Sequence, residues 1–385
     1  MISNRRKISA APVYSAGALS LLFIFVMTVL SARETSLRQE MIEAARLMAR
    51  AETTVRDCRM AKGIPADDRA DPNRTGLIGL ETSPITTSLG NLAAKRTTAN
   101  PAFAALIVSL LDEAGVRRGD TVALGASSSF PGLIVGTLSA AKVMGLKPVA
   151  ISSLGASEWG ANNPAFNWLD MDNCLRTAGL LDFRPAALAI GGDEDVGRDM
   201  DPAGRALLAA RIEQSGVFFI EKPDLEANVG ERLRLYEAGA RGRPIRAFIN
   251  IGGSWANIGT NAEVLKLKPG LLGGVYNPAQ NERGVLQEMA TRKIPVIHLL
   301  NVRGLCARYG LPWDPKPLPK PGEGGIYGRA AGRGRLPAIL SGVFIALLVA
   351  VLSVLLMGRA PADPSAISSL DGVQYRHRRA GQGPS

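Results

Sequence analysis

Two uncharged apolar segments, one near each end of the 385-residue chain, most constrain how it can fold. The first covers Val13 to Leu30 and follows a basic tail over residues 1–12, while the second covers Leu336 to Met357. A helix needs about 20 apolar residues to cross the hydrocarbon core of a bilayer. We therefore predict transmembrane helices over 13–31 and 336–357. The alternatives are a cleaved signal peptide for the first segment and a buried core helix for the second.

Basic residues beside these segments bear on orientation. The tail over 1–12 favours a cytoplasmic N-terminus, whereas Arg329, Arg333 and Arg335 precede the second segment and oppose that orientation. Because the first helix usually dominates and long loops cross regardless of charge, we predict a two-pass protein of the cytoplasmic (inner) membrane with an extracytoplasmic main domain. The basic tail over 358–385, which we expect to be disordered, would then meet the anionic inner leaflet.

The chain between the two apolar segments divides into three parts. Residues 33–62 keep apolar residues at helical spacing between charges, which predicts a helical stalk. Residues 77–311 contain the pattern of a folded α/β domain, and residues 312–335 are rich in Pro, Gly and Arg. That composition predicts a semi-extended linker into the second apolar segment.

Short apolar runs alternate with longer helical patterns within 77–311. The predicted strands cover Thr121–Ala126, Pro148–Leu154, Ala186–Gly192, Val217–Glu221, Arg246–Gly252 and Pro295–Leu300. The predicted helices cover Pro101–Ala114, Pro131–Met144, Pro202–Gln214, Leu225–Ala238 and Arg283–Thr291. Strands that lack polar alternation and are separated by helices indicate parallel strands buried on both faces. We therefore predict an α/β fold with a doubly wound, mostly parallel sheet of the Rossmann-like kind.

Composition narrows the classes of partner and cofactor. A net charge of +11 suits a polyanionic partner, but aromatic residues make up only 5% of the chain and no basic stripe is interleaved with them, which argues against nucleic-acid binding. The three cysteines, Cys58, Cys174 and Cys306, lie far apart and form no CxxC or Cys/His pair. We therefore expect no obvious disulfide framework, no metal site and no cofactor.

Polar segments follow several predicted strands, and in a parallel sheet these strand ends lie at one edge, where ligands bind. Hydroxyl, amide, cationic and indole groups are concentrated there and in the segment around residues 82–98. The candidate ligand-binding residues are Thr86, Thr87, Ser88, Lys95, Arg96, Ser127, Ser128, Ser129, Ser157, Trp159, Asn162, Ser254 and Trp255. The alternative is turn chemistry, since Gly, Asn and Ser are expected in turns for conformational reasons alone.

A catalytic interpretation rests on five candidates, Ser127, Ser128, Ser129, Asp193 and His298, with Glu194 and Asp195 as alternatives to Asp193 for the acid. Serine, acid and histidine follow one another in the chain order of α/β-hydrolases, but the serine at position 129 breaks the GxSxG pattern. His298 also falls inside an apolar run, which favours a core histidine. Whether the chain is an enzyme stays open, and a binding role is favoured.

Four stretches of the domain resemble the poly-γ-glutamate system proteins of bacteria. They read LIGLETSPITTSLGNLAAKRTTANP, GDTVALGASSSFPGL, ISSLGASEWGANNPAFNWLDM and FINIGGSWANIG. The resemblance implies an accessory membrane subunit of capsular poly-γ-glutamate synthesis, export or anchoring, with that polymer and the other synthesis and export subunits as partners. It implies no catalytic residues, and the absence of a GxxxxGK[ST] loop argues against the ATP-dependent ligase. The alternatives are a serine-dependent hydrolase or transferase acting on the polymer, and a membrane-tethered domain that binds a small ligand.

Overall fold

The computed structural model describes residues 11–65, 67–331 and 335–357. Helices and strands alternate along the chain much as predicted. The helices are α1 (Ala11–Ala61), α2 (Leu92–Thr98), α3 (Ala102–Glu113), α4 (Pro131–Val143), α5 (Trp168–Thr177), α6 (Pro202–Ser215), α7 (Leu225–Ala240), α8 (Trp255–Ile258), α9 (Val285–Thr291), α10 (Val302–Tyr309) and α11 (Arg335–Met357). The strands are β1 (Thr121–Ser127), β2 (Lys147–Ser153), β3 (Asn162–Asn163), β4 (Phe166–Asn167), β5 (Ala187–Ala189), β6 (Ile245–Ile251), β7 (Gly270–Leu271) and β8 (Val296–Leu299).

The chain divides into two compact units, one of which contains the two terminal apolar segments and the other Ala32–Arg333. In the first unit, the rings of Phe23 on α1 and Phe344 on α11 stack with their centroids 4.2 Å apart. Among the described residues, only α1 is long and apolar enough to cross a membrane, and a signal sequence has the same character. The apolar part of α11 over Ala338–Val354 is shorter, so the prediction of two spans is supported for the first segment alone. The predicted tail over 358–385 lies outside the described residues, as does the predicted tail over 1–12 apart from residues 11 and 12.

A six-stranded sheet forms the centre of the second unit, in the order β5-β2-β1-β6-β8-β7. All its pairings are parallel except that of β7 with β8, so the prediction of a mostly parallel sheet is confirmed. The chain builds outward from β1 in one direction through β2 and β5 and in the other through β6 and β8. The direction therefore reverses between β1 and β6, which is where ligand sites occur in such sheets.

Alternate residues of each strand are buried on opposite faces of the sheet, as parallel strands covered on both sides require. Val122 and Leu124 of β1 belong to one buried cluster, with residues of α1, α3, α4, α5 and α10. Ala123 between them belongs to a second cluster, with residues of α7, α8 and α9. The sheet is therefore doubly wound.

The predicted strand Val217–Glu221 is wrong as a ladder strand. Only Phe219 bridges to Leu188 of β5, and Phe218 beside it is exposed. β5 itself ends at Ala189, and Gly191 and Gly192 after it have positive φ, so the pairing ends after a single bridge at the edge of the sheet.

The predicted stalk is helical, but it is part of the domain. Met41, Ala44, Met48 and Val55 of α1 are fully buried in the core. Gly136 of α4 faces this helix so closely that a Cβ there would lie 3.2 Å from the Met48 sulfur. The second half of α1 thus covers one face of the α/β layers, because its apolar residues recur at helical spacing and pack into the core.

The predicted linker over 312–335 is also attached to the domain in its described part. Asp314 accepts two hydrogen bonds from the Arg96 guanidinium, at 2.7 and 2.6 Å, and its amide donates to Thr97 Oγ1 at 2.9 Å. Ile326 and Tyr327 are buried in the core. The proline-rich segment is therefore bound along the domain surface by an ion pair and by apolar burial.

A disulfide joins Cys58 of α1 to Cys174 of α5, with 6.3 Å between the Cα atoms. The expectation of no disulfide framework was wrong, because the two residues are 116 positions apart and only the fold brings them together. Cys306 is free and buried. Disulfides persist in oxidising compartments, so this bond favours an oxidising location for the domain.

Thiol titration tests the disulfide. Intact cells are treated with an alkylating agent, and the full-length protein is then extracted and denatured. It should show one free thiol per chain without reductant, that of the buried Cys306, and three after reduction. Replacing Cys58 with serine should lower the free energy of unfolding by about 2 to 4 kcal/mol in urea, because the loop closed by the bond is long. Equal thiol counts with and without reductant would contradict the assignment.

Candidate functional site

A cavity of about 290 Å³ lies at the carboxyl ends of β1, β2 and β6. Side chains and backbone from all four polar segments of the sequence line it, so the predicted clustering of these segments at one sheet edge is observed. Its hydroxyl-bearing residues are Thr87, Ser88, Ser127, Ser129, Ser153, Ser157 and Ser254. Phe130, Trp255 and Leu300 supply apolar wall, and Lys95 supplies an amine. We call this space the strand-end cavity.

The chain reaches the cavity through tight turns. After β1, the Phe130 amide donates to the Ser127 carbonyl, and Pro131 then opens α4. After β6, Gly252 has φ +78°, and a Cβ on it would lie 3.1 Å from the Ser127 Cβ. Glycine is required there because a side chain would be strained and would press on β1.

Lys95 is the central charged group of the strand-end cavity. It is 3% exposed, and its Nζ donates to the Ser129 carbonyl at 2.6 Å and to Ser157 Oγ at 2.7 Å. The Phe130 ring lies with its centroid 3.9 Å from Nζ. Burial lowers the pKa of Lys95 from 10.5 to about 7, against a smaller opposing effect of the Glu158 charge. Near neutral pH, Lys95 therefore exists in both protonation states.

The serines beside Lys95 are joined in a chain of hydrogen bonds. Ser127 Oγ donates to Ser129 Oγ at 3.0 Å, and the Ser157 amide donates to the same oxygen at 2.9 Å. Ser129 Oγ accepts both bonds, which leaves its own hydrogen available to a ligand. The loop after β1 and the loop after β2 are thus tied together at the point where Lys95 enters.

A buried ion pair supports the cavity from behind. Arg232 and Asp195 are both fully buried and joined by a hydrogen-bonded salt bridge. Ser153, which lines the cavity, donates to Asp195 at 2.8 Å and accepts from Arg232 at 3.0 Å. The pair holds the end of β2 in place, because neither charge has access to water to replace its partner.

Eight of the predicted ligand-binding residues line the strand-end cavity, and five do not. Arg96 is engaged by Asp314. Ser128 is buried and donates to the Ser153 carbonyl at 2.7 Å, and Asn162 is buried with its amide bonded to Leu80 and Thr86. Trp159, at φ +62°, contributes its backbone to a turn. These residues join the segments around the cavity to one another and to the rest of the domain, and they do not line the cavity.

The predicted serine, acid and histidine are not assembled. His298 lies in β8 almost fully buried, with Nδ1 2.9 Å from the Asn250 side-chain amide, and burial lowers its pKa to about 4. No hydrogen bond joins it to Ser127, Ser128 or Ser129 within the described chain. Among the acidic residues after β5, Asp195 is the buried one. The backbone amide of Asp193 donates a hydrogen bond to the Asp199 carboxylate. No group of three or more potential metal-ligating side chains is found among the described residues.

Of the residues that support the cavity, sequence reasoning missed Arg232, whereas Ser153 belongs to the polar segment after the second predicted strand and Asp195 is one of the three loop acids after the third. Ser153 ends an apolar strand in a serine pair, which was a usable signal. Arg232 lies in a helix with several other charged residues and looks solvated in the sequence. Its helical spacing from Leu225, Val229 and Tyr236 nevertheless places it on the apolar face of α7, unlike the exposed Arg234, and that spacing was a usable signal.

Replacing Arg232 with methionine tests the buried pair. We expect the free energy of unfolding to fall by about 3 to 5 kcal/mol, because Asp195 would be left as an uncompensated buried charge. Arg234→Met, two positions along α7, is the matched control and should change it by less than about 0.5 kcal/mol. Urea denaturation of the purified chain measures both, and equal effects would contradict the role assigned to Arg232.

Replacing Lys95 with methionine tests the burial of its amine. The unfolded chain holds this proton up to the ordinary lysine pKa, while the folded chain loses it near pH 7, so wild-type stability rises between these values. Lys95→Met lacks this titration and does not gain this stability. The difference in unfolding free energy between wild type and Lys95→Met should therefore shift by about 3 to 5 kcal/mol in favour of the wild type as the pH rises from about 6 to about 10. Unfolding curves at several pH values measure this. Lys142→Met, at a more exposed lysine, should follow the wild-type profile, and parallel profiles for all three proteins would refute the shift.

Comparison of the chain with models of known families, with curated proteins and with solved structures finds no match.

Proposed function

We propose that this protein is a membrane-anchored accessory subunit of bacterial poly-γ-glutamate synthesis, export or anchoring, and that its strand-end cavity binds a short part of the polymer. The observation that carries the proposal is the convergence of four polar segments on one cavity at the point where the sheet reverses direction. These are the same stretches that resemble the poly-γ-glutamate system proteins.

The chemistry of the strand-end cavity suits a γ-glutamyl group. Each unit of such a polymer presents a carboxylate and an amide, and the cavity offers several hydroxyls and the Lys95 amine. Hydroxyls both donate and accept, so they satisfy the amide as well as the carboxylate. Asp199 at the lining and Glu158 near Lys95 add negative charge. We therefore expect a chain end or one or two residues to enter, rather than a long run of carboxylates.

The proposed membrane location rests on the apolar part of α1. The proposed side of the membrane on which the domain lies rests on the disulfide. The Cys58–Cys174 bond favours an oxidising compartment, which supports an extracytoplasmic domain. We propose α11 as a second membrane segment beside α1, on the basis of the stack between Phe23 and Phe344. Partner subunits of the synthesis and export machinery would be reached in the same bilayer. Alkylation in intact cells reports on this location, since a reduced pair would place the domain in the cytoplasm.

Filling the strand-end cavity tests the binding proposal. Thr87 lines the cavity and uses its backbone amide to hold the Ala156 carbonyl at 3.0 Å, so a larger side chain at this position leaves that bond in place. Thr87→Trp should weaken binding of a fluorescent γ-glutamate oligomer at least tenfold, measured by anisotropy with the full chain in detergent. Thr53→Trp, at an exposed threonine of α1, is the matched control and should bind as the wild type does.

Two results would overturn this assignment. Absence of oligomer binding to the wild type would reject the polymer as ligand. A thermal shift with a nucleotide or sugar phosphate but none with γ-glutamate would favour the small-ligand alternative instead.

A further inference from the structure

The strand-end cavity contains an amine and a hydroxyl in the geometry of a nucleophile and its base. Lys95 Nζ lies 2.7 Å from Ser157 Oγ, and both residues line the cavity. Among the described residues, no carboxylate forms an ion pair with Lys95. An amine that is buried without a counter-ion and bonded to a serine hydroxyl is an arrangement used for nucleophilic catalysis, in which lysine replaces the usual histidine.

The surroundings of Lys95 suit its neutral form. A neutral amine has two hydrogens and one lone pair. The Ser129 carbonyl at 2.6 Å and the face of the Phe130 ring can take the two hydrogens, and the lone pair then points to Ser157 Oγ. Both hydrogens and the lone pair of the neutral Nζ thus have a partner, so the Ser157 hydroxyl can donate its hydrogen to Lys95.

The nucleophile is held in place by bonds that do not use its hydroxyl. The Ser157 amide donates to Ser129 Oγ at 2.9 Å, and the Ser157 carbonyl accepts from the Gly160 amide at 3.0 Å. A Cβ on Gly160 would lie 2.9 Å from the Ser129 Cα, so this turn is packed against the loop after β1. Such fixed positioning of a reacting group is a large part of catalysis.

We propose that Ser157 is a nucleophile and Lys95 its general base, and that together they cleave or transfer an acyl group at an amide or ester bond of a peptide-like substrate in the strand-end cavity. The choice of a γ-glutamyl amide as that substrate rests on the proposed function, whereas the pair itself does not. The hydrolase interpretation from the sequence took Ser127, Ser128 or Ser129 as the nucleophile and His298 as the base, so it did not include this pair.

The reaction balances with water as the second substrate. Ser157 Oγ forms a bond to the carbonyl carbon, its proton passes to Lys95 Nζ, and the carbonyl oxygen takes up the electron pair, with the free hydrogen of Ser129 Oγ as a donor to it. The C–N bond breaks as Lys95 returns the proton to the leaving amine. Water then attacks the acyl-serine while Lys95 takes a proton from it, the C–Oγ bond breaks, and Lys95 returns that proton to Ser157. An amine in place of water gives transfer instead of hydrolysis.

Charged groups near Lys95 determine the pH at which it acts as a base. Arg96, on the same helix, is neutralised by Asp314, and Glu158 is the nearby carboxylate that favours the ammonium form. Asp199 lines the other side of the cavity. Reaction of Ser157 should therefore rise with pH to a plateau above neutrality, as Lys95 loses its proton.

The test uses the full chain in detergent and a fluorophosphonate, which reacts covalently with activated serines. Mass spectrometry should locate the label on Ser157, and the labelling rate should rise between pH 5.5 and 9. Ser157→Ala should abolish labelling, and Lys95→Arg should slow it at least 100-fold, because a guanidinium keeps the charge but cannot accept the proton. Ser139→Ala, at a buried serine of α4 outside the cavity, is the control and should label within twofold of wild type.

Label on another residue, unchanged labelling in Ser157→Ala, or a wild-type rate in Lys95→Arg would overturn the proposal. Thermal unfolding of each variant shows whether a loss reflects misfolding, and the small Ser157→Ala change keeps the test decisive if Lys95→Arg does not fold. Oligomer binding and labelling, both measured on the wild type, separate the two proposals. If the wild type binds the oligomer but is not labelled, only the catalytic pair is rejected. If it is labelled but does not bind the oligomer, only the polymer is rejected as the ligand.

Discussion

Coverage of the sheet on both faces is the constraint on which the rest of this structure depends. A strand buried on both sides stays mostly apolar within the sheet, and most of its polar residues lie at its ends. β1 and β2 obey this rule, since each changes from aliphatic residues to serine as it ends. The hydroxyls of neighbouring strands thus meet at one edge, and the strand-end cavity is the space between them.

Much of the fold could be predicted because this constraint is local. The alternation of apolar runs and helical patterns predicted the parallel strands and most of the helices that cover them, and it placed the cavity at the correct edge. The short helix α2 was not predicted, because only seven residues form it and its face is polar. The stalk and linker were predicted from their own composition, whereas their positions depend on partners far along the chain, such as Arg96 for Asp314.

The chemistry inside the cavity was less accessible to sequence reasoning. Lys95 and Ser157 were each recognised as polar residues of a binding edge, but their contact joins positions 62 residues apart. The buried pair of Asp195 and Arg232 is concealed for the same reason. Helical spacing places Arg232 on the apolar face of α7, but the pairing of its charge depends on a partner far along the chain. The polar edge could thus be predicted, but the pairing of its charges could not.

The packing of α1 against α3 and α4 also decides where the folding unit begins. Sequence composition suggests that the domain starts near residue 77, yet the core takes Met41, Met48 and Val55 from the helix before it, together with one half of the disulfide. A fragment beginning at Leu77 would leave the apolar faces of α3 and α4 open to water and Cys174 without its partner. A fragment beginning near Ala32 would keep both. Proteolytic release of the domain in a soluble form therefore requires cleavage close to the end of the apolar segment, before the helix enters the core.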